Sequence, residues 1–370
     1  MRLLILNWRD PLNPKAGGAE IYTHEIAKRL VAKGNKVTLF AAAFPGCLSS
    51  EQLDGVDVIR EGSRLSVYFK AWQRYKREFR NNFDFVIDQI NTVPFFSPLY
   101  LKDSGAALIF QMTGEIFTIA LPKLVGYIAR FFEPFMFKPY RRFNIIVISE
   151  SIKQELVRGG FIAENILIVE PGLKHEDFGV GPKADRPTVL FMNRIVKYKN
   201  VLHLVEAFEL VRREVPDAVL MIGGCKGGRY EKVVRARVEK LGLSDSVEYY
   251  PFVAQEEKTR ILRSAWVHVL PSIKEGWGMS VLEAAACGTP SIAYDVVGLK
   301  DAISDNESGI LVQYGDINAL AAAIMRMLKD PDMRTIFSEK ALAISKKFTW
   351  EKSAARFLTC IEAFKHAQER

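Results

Sequence analysis

No uninterrupted apolar run in this sequence reaches the about 20 residues that a membrane-crossing helix needs. Integral insertion is therefore not expected. The opening "MRLLILNWRDP" has too short an apolar part for a secretory signal and reads better as a first strand. Cysteine is scarce: Cys47, Cys225, Cys287 and Cys360 are scattered, form no CxxC pair and show no metal-ligand spacing. They read as reduced thiols, which argues against a disulfide framework and for a cytoplasmic chain. Short-period repeats and low-complexity tracts are absent too. So is any helix-turn-helix, zinc or RNA-recognition signature, and nucleic acid is not an expected partner.

What is present is a long, well-mixed chain with a basic excess. At 370 residues and 41.8 kDa it exceeds the size at which one core keeps growing, and 49% apolar content suffices for two. A net charge of +8 points to an anionic partner: nucleic acid, a phosphorylated metabolite or a lipid headgroup. The bases cluster. Arg60, Arg64, Lys70, Arg74, Lys76, Arg77 and Arg80 stand against only Glu61 and Glu78, and in "KLVGYIARFFEPFMFKPYRRF", Lys123 to Phe143, bases alternate with large apolar residues.

Strand-like and helix-like segments alternate along the chain. "RLLILNW", a helix over about Glu20 to Lys33, "KVTLFAA", a basic helix, "FDFVIDQI", "NIIVISE", "SIKQELVRGG" and "NILIVEPG" form one series. "PTVLFMNRI", a helix near Val201 to Glu214, "AVLMIGG", "SVEYYPF" and "AWVHVLP" open a second. Between them lies "EPGLKHEDFGVGPKADRP", loop-like in its Gly, Pro and charge content. Two such series predict two doubly wound α/β domains facing across a cleft.

The stretch "PSIKEGWGMSVLEAAACGTPSIAYD" carries the strongest chemical signal. A strand leads into a Gly-Trp-Gly turn and a helix ending at Gly288-Thr289-Pro290, so the loop lies at the carboxyl end of a strand. The amides of Gly276, Trp277, Gly278, Met279 and Ser280 lead into a helix start that favours phosphate. Glu275 and Glu283 are placed to hold hydroxyls on either side, which describes a nucleotide-sugar site. A pair of glutamates on a solvated helix is the alternative. In "FMNRIVKYKN", Arg194 and Lys199 follow the first strand of the second series, where a fork donor and an ammonium reach a diphosphate. Two surface bases at a turn is the alternative there.

In this order the pieces resemble the retaining glycosyltransferases of family 4, which have the GT-B fold. The matching segments are "GGAEIYTHEIAKRLVAKGNKVTLF", "RIVKYKNVLHLVEAF", "VEYYPFVAQEEKTRILRSAWVHVLPSIKEGWGMSVLEAAACGTPSIAYDVVGLKDAI" and "SGILV". The resemblance implies two Rossmann-like doubly wound parallel-sheet domains. Residues 1–172 would bind the acceptor, residues 173–348 the nucleotide-sugar, and 349–370 would form a helix returning to the first domain. Arg194 and Lys199 would neutralise the donor diphosphate, Glu275 would hold sugar hydroxyls and Glu283 the ribose. The amides around Gly278 to Ser280 would complete the phosphate site, and the backbone of Phe252 and Val253 would contact the base. Gly17 and Gly18 would close over the donor from the other domain.

The activity implied is retaining hexosyl transfer from a nucleoside diphosphate sugar, UDP favoured over GDP, to a glycan or lipid-linked acceptor. No cofactor or metal is implied, because bases and a helix end stabilise the leaving diphosphate. The one DxD match, "DPD" at Asp330 to Asp332, follows a helix and reads as a turn. Two departures stand out. Asn193 replaces the usual glycine before the arginine, and Phe110 aligns where members commonly carry a histidine, with His24, His175, His203, His268 and His366 all reading as structural. Gln111, Glu115 or no side chain at all is then left for the polar role on the acceptor side. A nucleotide-sugar epimerase, or a catalytically silent nucleotide-sugar-binding subunit, are the rival readings.

On a helical wheel Tyr68, Trp72, Tyr75 and Phe79 form one stripe opposite Lys70, Arg74 and Arg77. A core stripe with a solvated basic face is one reading. The other is an interfacial helix whose bases meet an anionic membrane, helped by the segment Phe131 to Phe143, which would make the chain a peripheral membrane protein.

Overall fold

The computed structural model of the chain describes residues 1–101, 104–251 and 253–368. They form two compact units. One comprises Met1–Glu115, Tyr127–Gly172 and Trp350–Arg370, and the other Ile116–Gly126 and Leu173–Thr349. Each is an α/β unit built on a parallel sheet, as the alternation of apolar runs and amphipathic segments predicts.

The first unit holds an eight-stranded sheet of β1 (Arg2–Leu6), β2 (Lys36–Ala41), β3 (Ser50–Leu53), β4 (Val56–Arg60), β5 (Phe85–Ile90), β6 (Gly105–Ile109), β7 (Ile145–Val147) and β8 (Ile166–Ile168), in the order β3-β4-β2-β1-β5-β6-β7-β8. All neighbours are parallel except β3 and β4, a hairpin turned at Asp54-Gly55 with both residues at positive φ. The central strands are largely apolar, with Asp88 and Gln89 of β5 as buried polar exceptions, and β5 and β6 are buried throughout. The helix Gly18–Ala32 packs on the terminal helix Trp350–Gln368. Between them Tyr22 meets Trp350 edge-on at 5.8 Å and donates its hydroxyl to the Val169 carbonyl at 2.8 Å.

The second unit holds β9 (Thr188–Met192), β10 (Val219–Cys225), β11 (Val247–Pro251), β12 (Val267–Leu270), β13 (Ser291–Tyr294) and β14 (Gly309–Val312), all parallel, in the order β11-β10-β9-β12-β13-β14. The order reverses at β9, where β10 lies on one side and β12 on the other. Such a switch point leaves a crevice at the carboxyl ends of the strands, and the loops after β9 and β12 both open there. Val189, Phe191, Phe208, Leu220, Ile222 and Ile292 are fully buried between sheet and helices. The short helix Ile116–Ala120 packs in this unit against the turn Lys197–Lys199.

Candidate functional site

The site grows from the loops after β9 and β12. The segment after β12 is pinned by its backbone: Ile273 N–H donates to the Tyr198 carbonyl at 3.0 Å and Glu275 N–H to the Val297 carbonyl at 3.1 Å. A Cβ at Gly298 would stand 2.2 Å from the Glu275 carbonyl oxygen, so only glycine lets the two loops approach this closely. Gly278, at φ +94° immediately before the helix Met279–Ala286, turns the chain into that helix, and a Cβ there would strike Leu299 at 2.8 Å. The first N–H groups of this helix have no intrahelical acceptor, and its dipole places partial positive charge at Met279 and Ser280.

Lys199 and Glu275, 76 residues apart in sequence, are in direct contact. The ammonium donates to Oε1 of the carboxylate, which also accepts from Ser272 Oγ at 2.7 Å. Their side chains are only 5% and 13% exposed. A lysine turned inward against one carboxylate at the mouth of a strand is a held cation, not a solvated surface base. Arg194 differs: it is exposed, and its Nη2 donates to the Tyr198 hydroxyl at 3.2 Å. Asn193 is accommodated by its own side chain. Oδ1 accepts the Arg194 N–H at 2.8 Å and Nδ2 reaches Ser280 Oγ at 3.4 Å, linking the β9 loop to the first turn of the helix.

Glu283 lies one turn further along, half-buried, and pairs with Lys258 of the helix Gln255–Ser264. Trp277 is buried against Phe348, ring centroids 5.1 Å apart, so it offers the site only its backbone while its ring anchors the loop. Gly276 leads into it, half-buried. Val253 is half-buried against Met192 and Ile261 and their neighbours, and Phe252 lies outside the described residues. One unit thus holds Arg194, Lys199, Glu275, Gly276 to Ser280 and Glu283, with Lys199 and Glu275 touching. Ser272, Lys258 and Asn193 complete their partners. Sequence reasoning missed the first two, because nothing in the spacing of Lys258 and Glu283 marks them as neighbours.

In the first unit, Gly17 precedes the helix Gly18–Ala32, and its N–H donates to Glu20 Oε2 at 2.7 Å. Arg9 holds the other oxygen of that buried carboxylate at 3.4 Å. Gln111 and Glu115 sit in the coil after β6, the first half-buried and the second exposed. This coil is fixed by Glu133, whose buried carboxylate accepts the N–H groups of Thr113 at 2.7 Å and Gly114 at 2.8 Å. Phe110 is a core residue, edge-on to Tyr22 at 5.2 Å.

His366 lies exposed on the terminal helix, and the other four histidines have structural partners. His24 faces Asp54 at 2.8 Å, His203 the Tyr294 hydroxyl at 2.9 Å, and His175 the Phe348 carbonyl at 3.0 Å. His268, wholly buried in β12, faces Ser291 Oγ at 3.0 Å, and burial pushes its imidazole down to about 3. Asp330 of the DPD match caps the helix Pro331–Ser345, accepting the Met333 N–H at 2.9 Å. Of the aromatic stripe, Tyr75 and Phe79 are buried in the core and Tyr68 packs against it, while Trp72 stays half-exposed under Lys76. On the opposite side Lys70 and Arg74 both reach Glu61, at 3.2 and 3.3 Å, and Arg77 is exposed.

Comparison with known proteins identifies the family and the fold. Residues 16–177 match the family described as Glycosyltransferase Family 4, and residues 174–343 match glycosyl transferases group 1. The D-inositol 3-phosphate glycosyltransferase of Streptomyces bingchenggensis is 32% identical over 235 residues, covering 57% of this chain and 51% of that protein. The chain spans about half the length of the curated relatives it matches. Among solved structures, sucrose-phosphate synthase from Thermosynechococcus elongatus superposes with a TM-score of 0.82 over 99% of both chains at 21% identity. Anabaena HepE in complex with UDP and glucose superposes with a TM-score of 0.75 at 18% identity, over 98% of this chain and 100% of that one. By the two family matches, and by a fold shared with these GT-B structures, the chain belongs to glycosyltransferase family 4, the glycosyl transferases group 1.

Proposed function

We propose that the chain moves a sugar from a nucleoside diphosphate sugar onto a glycan or lipid-linked acceptor, with retention at the anomeric carbon and without a metal ion. The observation that carries the reading is the buried Lys199–Glu275 pair beside the start of the helix Met279–Ala286. Lys199, Arg194 and the first-turn amides take the diphosphate, and their fixed positive potential stabilises the charge that grows on the leaving oxygen. Glu275 holds a sugar hydroxyl while keeping Lys199 aimed, and Glu283 holds the ribose. On the front-side route the departing phosphate oxygen accepts the acceptor's proton on the same face, so positioning replaces a side-chain base. This is compatible with Phe110 being a core residue. UDP is favoured as the base-bearing half, in keeping with the UDP complex of the Anabaena relative. The work would be done in the cytoplasm, at the membrane surface where the acceptor is lipid-linked.

A second reading, a silent nucleotide-sugar-binding subunit, is favoured by Phe110 alone. Proton NMR of the anomeric signal, on product formed from a panel of UDP- and GDP-sugars and acceptors in excess chelator, separates them. A retained product is expected. An inverted product overturns the mechanism, loss of turnover in chelator overturns metal independence, and no product with any donor leaves the silent subunit as the better account.

A further inference from the structure

The helix Lys123–Phe137 faces the wrong way for a globular protein. Leu124, Tyr127, Ile128, Phe131, Phe132 and Phe135 are each 49–73% exposed, and Phe131, Phe132 and Phe135 touch one another, with centroids 5.4 to 6.2 Å apart. At 100° per residue the six fall within an arc of about 140°. The arc opposite holds Gly126, Glu133 and Phe137, all buried. An apolar face of this size on the outside of a protein marks an interaction surface.

We infer that this face is a membrane-docking surface that inserts into the interface of an anionic bilayer. Charge complementarity selects this occupant. Bases border the helix at Lys123, Arg130 and Lys138, with Arg141 and Arg142 just beyond its end. The one acid between Lys123 and Phe143 is Glu133, and its buried carboxylate is turned inward to the Thr113 and Gly114 amides, so no acid of this segment faces out. Aromatic and aliphatic residues on one face with a cationic border are the composition of helices that lie in the headgroup region. Length agrees. Its 15 residues span about 22 Å, short of the roughly 30 Å hydrocarbon core, so the helix lies on the membrane and does not cross it.

The surface also extends past the helix. The turn Lys138–Tyr140 packs on the turn Ser97–Leu99, through the Tyr140 hydroxyl at 3.1 Å from Ser97 N, and Leu99 is itself exposed. The helix Val67–Arg74 is the weaker candidate for this contact, because Lys70 and Arg74 are already matched by Glu61.

The test is co-sedimentation of the full chain with vesicles of phosphatidylcholine alone and of phosphatidylcholine with phosphatidylglycerol, read without donor or acceptor so that it stands apart from glycosyl transfer. Capture by the anionic vesicles is expected, weakening with salt. The triple variant Phe131→Ser, Phe132→Ser, Phe135→Ser changes only exposed side chains. It should keep the wild-type circular dichroism and melt while losing capture by on the order of a hundredfold. Lys123→Glu, Arg130→Glu and Lys138→Glu together should abolish the preference for anionic vesicles. Equal capture of wild type and the serine variant overturns the proposal. So does a wild-type dimer, seen by sedimentation equilibrium, that the serine variant turns into monomer while vesicles capture neither; the face then covers a second copy of the chain.

Discussion

Lys199 and Arg194 share a predicted task but not an environment, and the difference makes them separable. Removing Lys199 leaves Glu275 with Ser272 as its remaining side-chain partner in a nearly buried place, whereas Arg194 is exposed and holds one tyrosine hydroxyl. A fully buried pair loses about 3–5 kcal/mol when one partner is truncated, and Glu275, being 13% exposed, recovers part of that through water. Lys199→Ala should therefore destabilise the ligand-free protein by about 2–3 kcal/mol, and Arg194→Ala by under about 0.5 kcal/mol. Both should weaken nucleotide-sugar binding by about 2–5 kcal/mol. Urea melts and calorimetric titration read the two quantities apart. A loss under about 0.5 kcal/mol for Lys199→Ala as well would show that the Lys199–Glu275 contact holds nothing in the free protein.

Strand β12 carries a second measurable consequence. His268 is wholly buried there, and its folded value of about 3 lies below the ordinary 6.5, so the unfolded chain takes up a proton that the folded chain refuses. The contribution of neutral His268 is complete above pH 6.5 and is lost as the pH falls from there towards 3, at about 1.4 kcal/mol per pH unit. His268→Asn keeps a hydrogen-bonding group for Ser291 and removes the titration. Between roughly pH 6 and 4 it should lose about that much of the stability slope in urea melts, and an unchanged slope would place the acid sensitivity elsewhere. Strands of this kind were legible from sequence because burial on both faces makes them continuous apolar runs, as in "AWVHVLP" and "PSIAYD". The hairpin β3–β4 was not, since "SEQL" alternates in burial at a sheet edge and carries no apolar run, although its Asp-Gly turn is a hairpin signal. Nor was the orientation of Lys123–Phe137. Periodicity reveals that a helix has an apolar face but not whether that face is buried, and the buried partner of Glu133 lies 20 residues away in sequence.

At the scale of the whole molecule, every donor contact proposed except Gly17 and Gly18 belongs to one of the two units. That division predicts a pattern of protection and not only a gain in stability. A ligand that binds the folded unit at a hundred times its dissociation constant adds about 2.7 kcal/mol, which slows exchange of amides released by opening of that unit about a hundredfold. UDP alone carries only the base, ribose and diphosphate that the second unit is proposed to hold. It should therefore slow amides of β9, β12 and Met279–Ala286 and leave those of β1 and β2 unchanged in hydrogen exchange read by mass spectrometry. The intact UDP-sugar should protect the same segments and, in addition, the peptide containing Gly17 and Gly18, the loop that the family resemblance expects to close over the donor. Glu275→Gln sharpens the comparison. It retains an acceptor for Lys199 and Ser272 but weakens the sugar contact, so it should diminish the extra protection at Gly17 and Gly18 more than the protection of β9. Uniform protection of both units by bare UDP would mean that the nucleotide is not held by the second unit alone, and its assignment to Arg194, Lys199, Glu283 and the first-turn amides of Met279–Ala286 would fall.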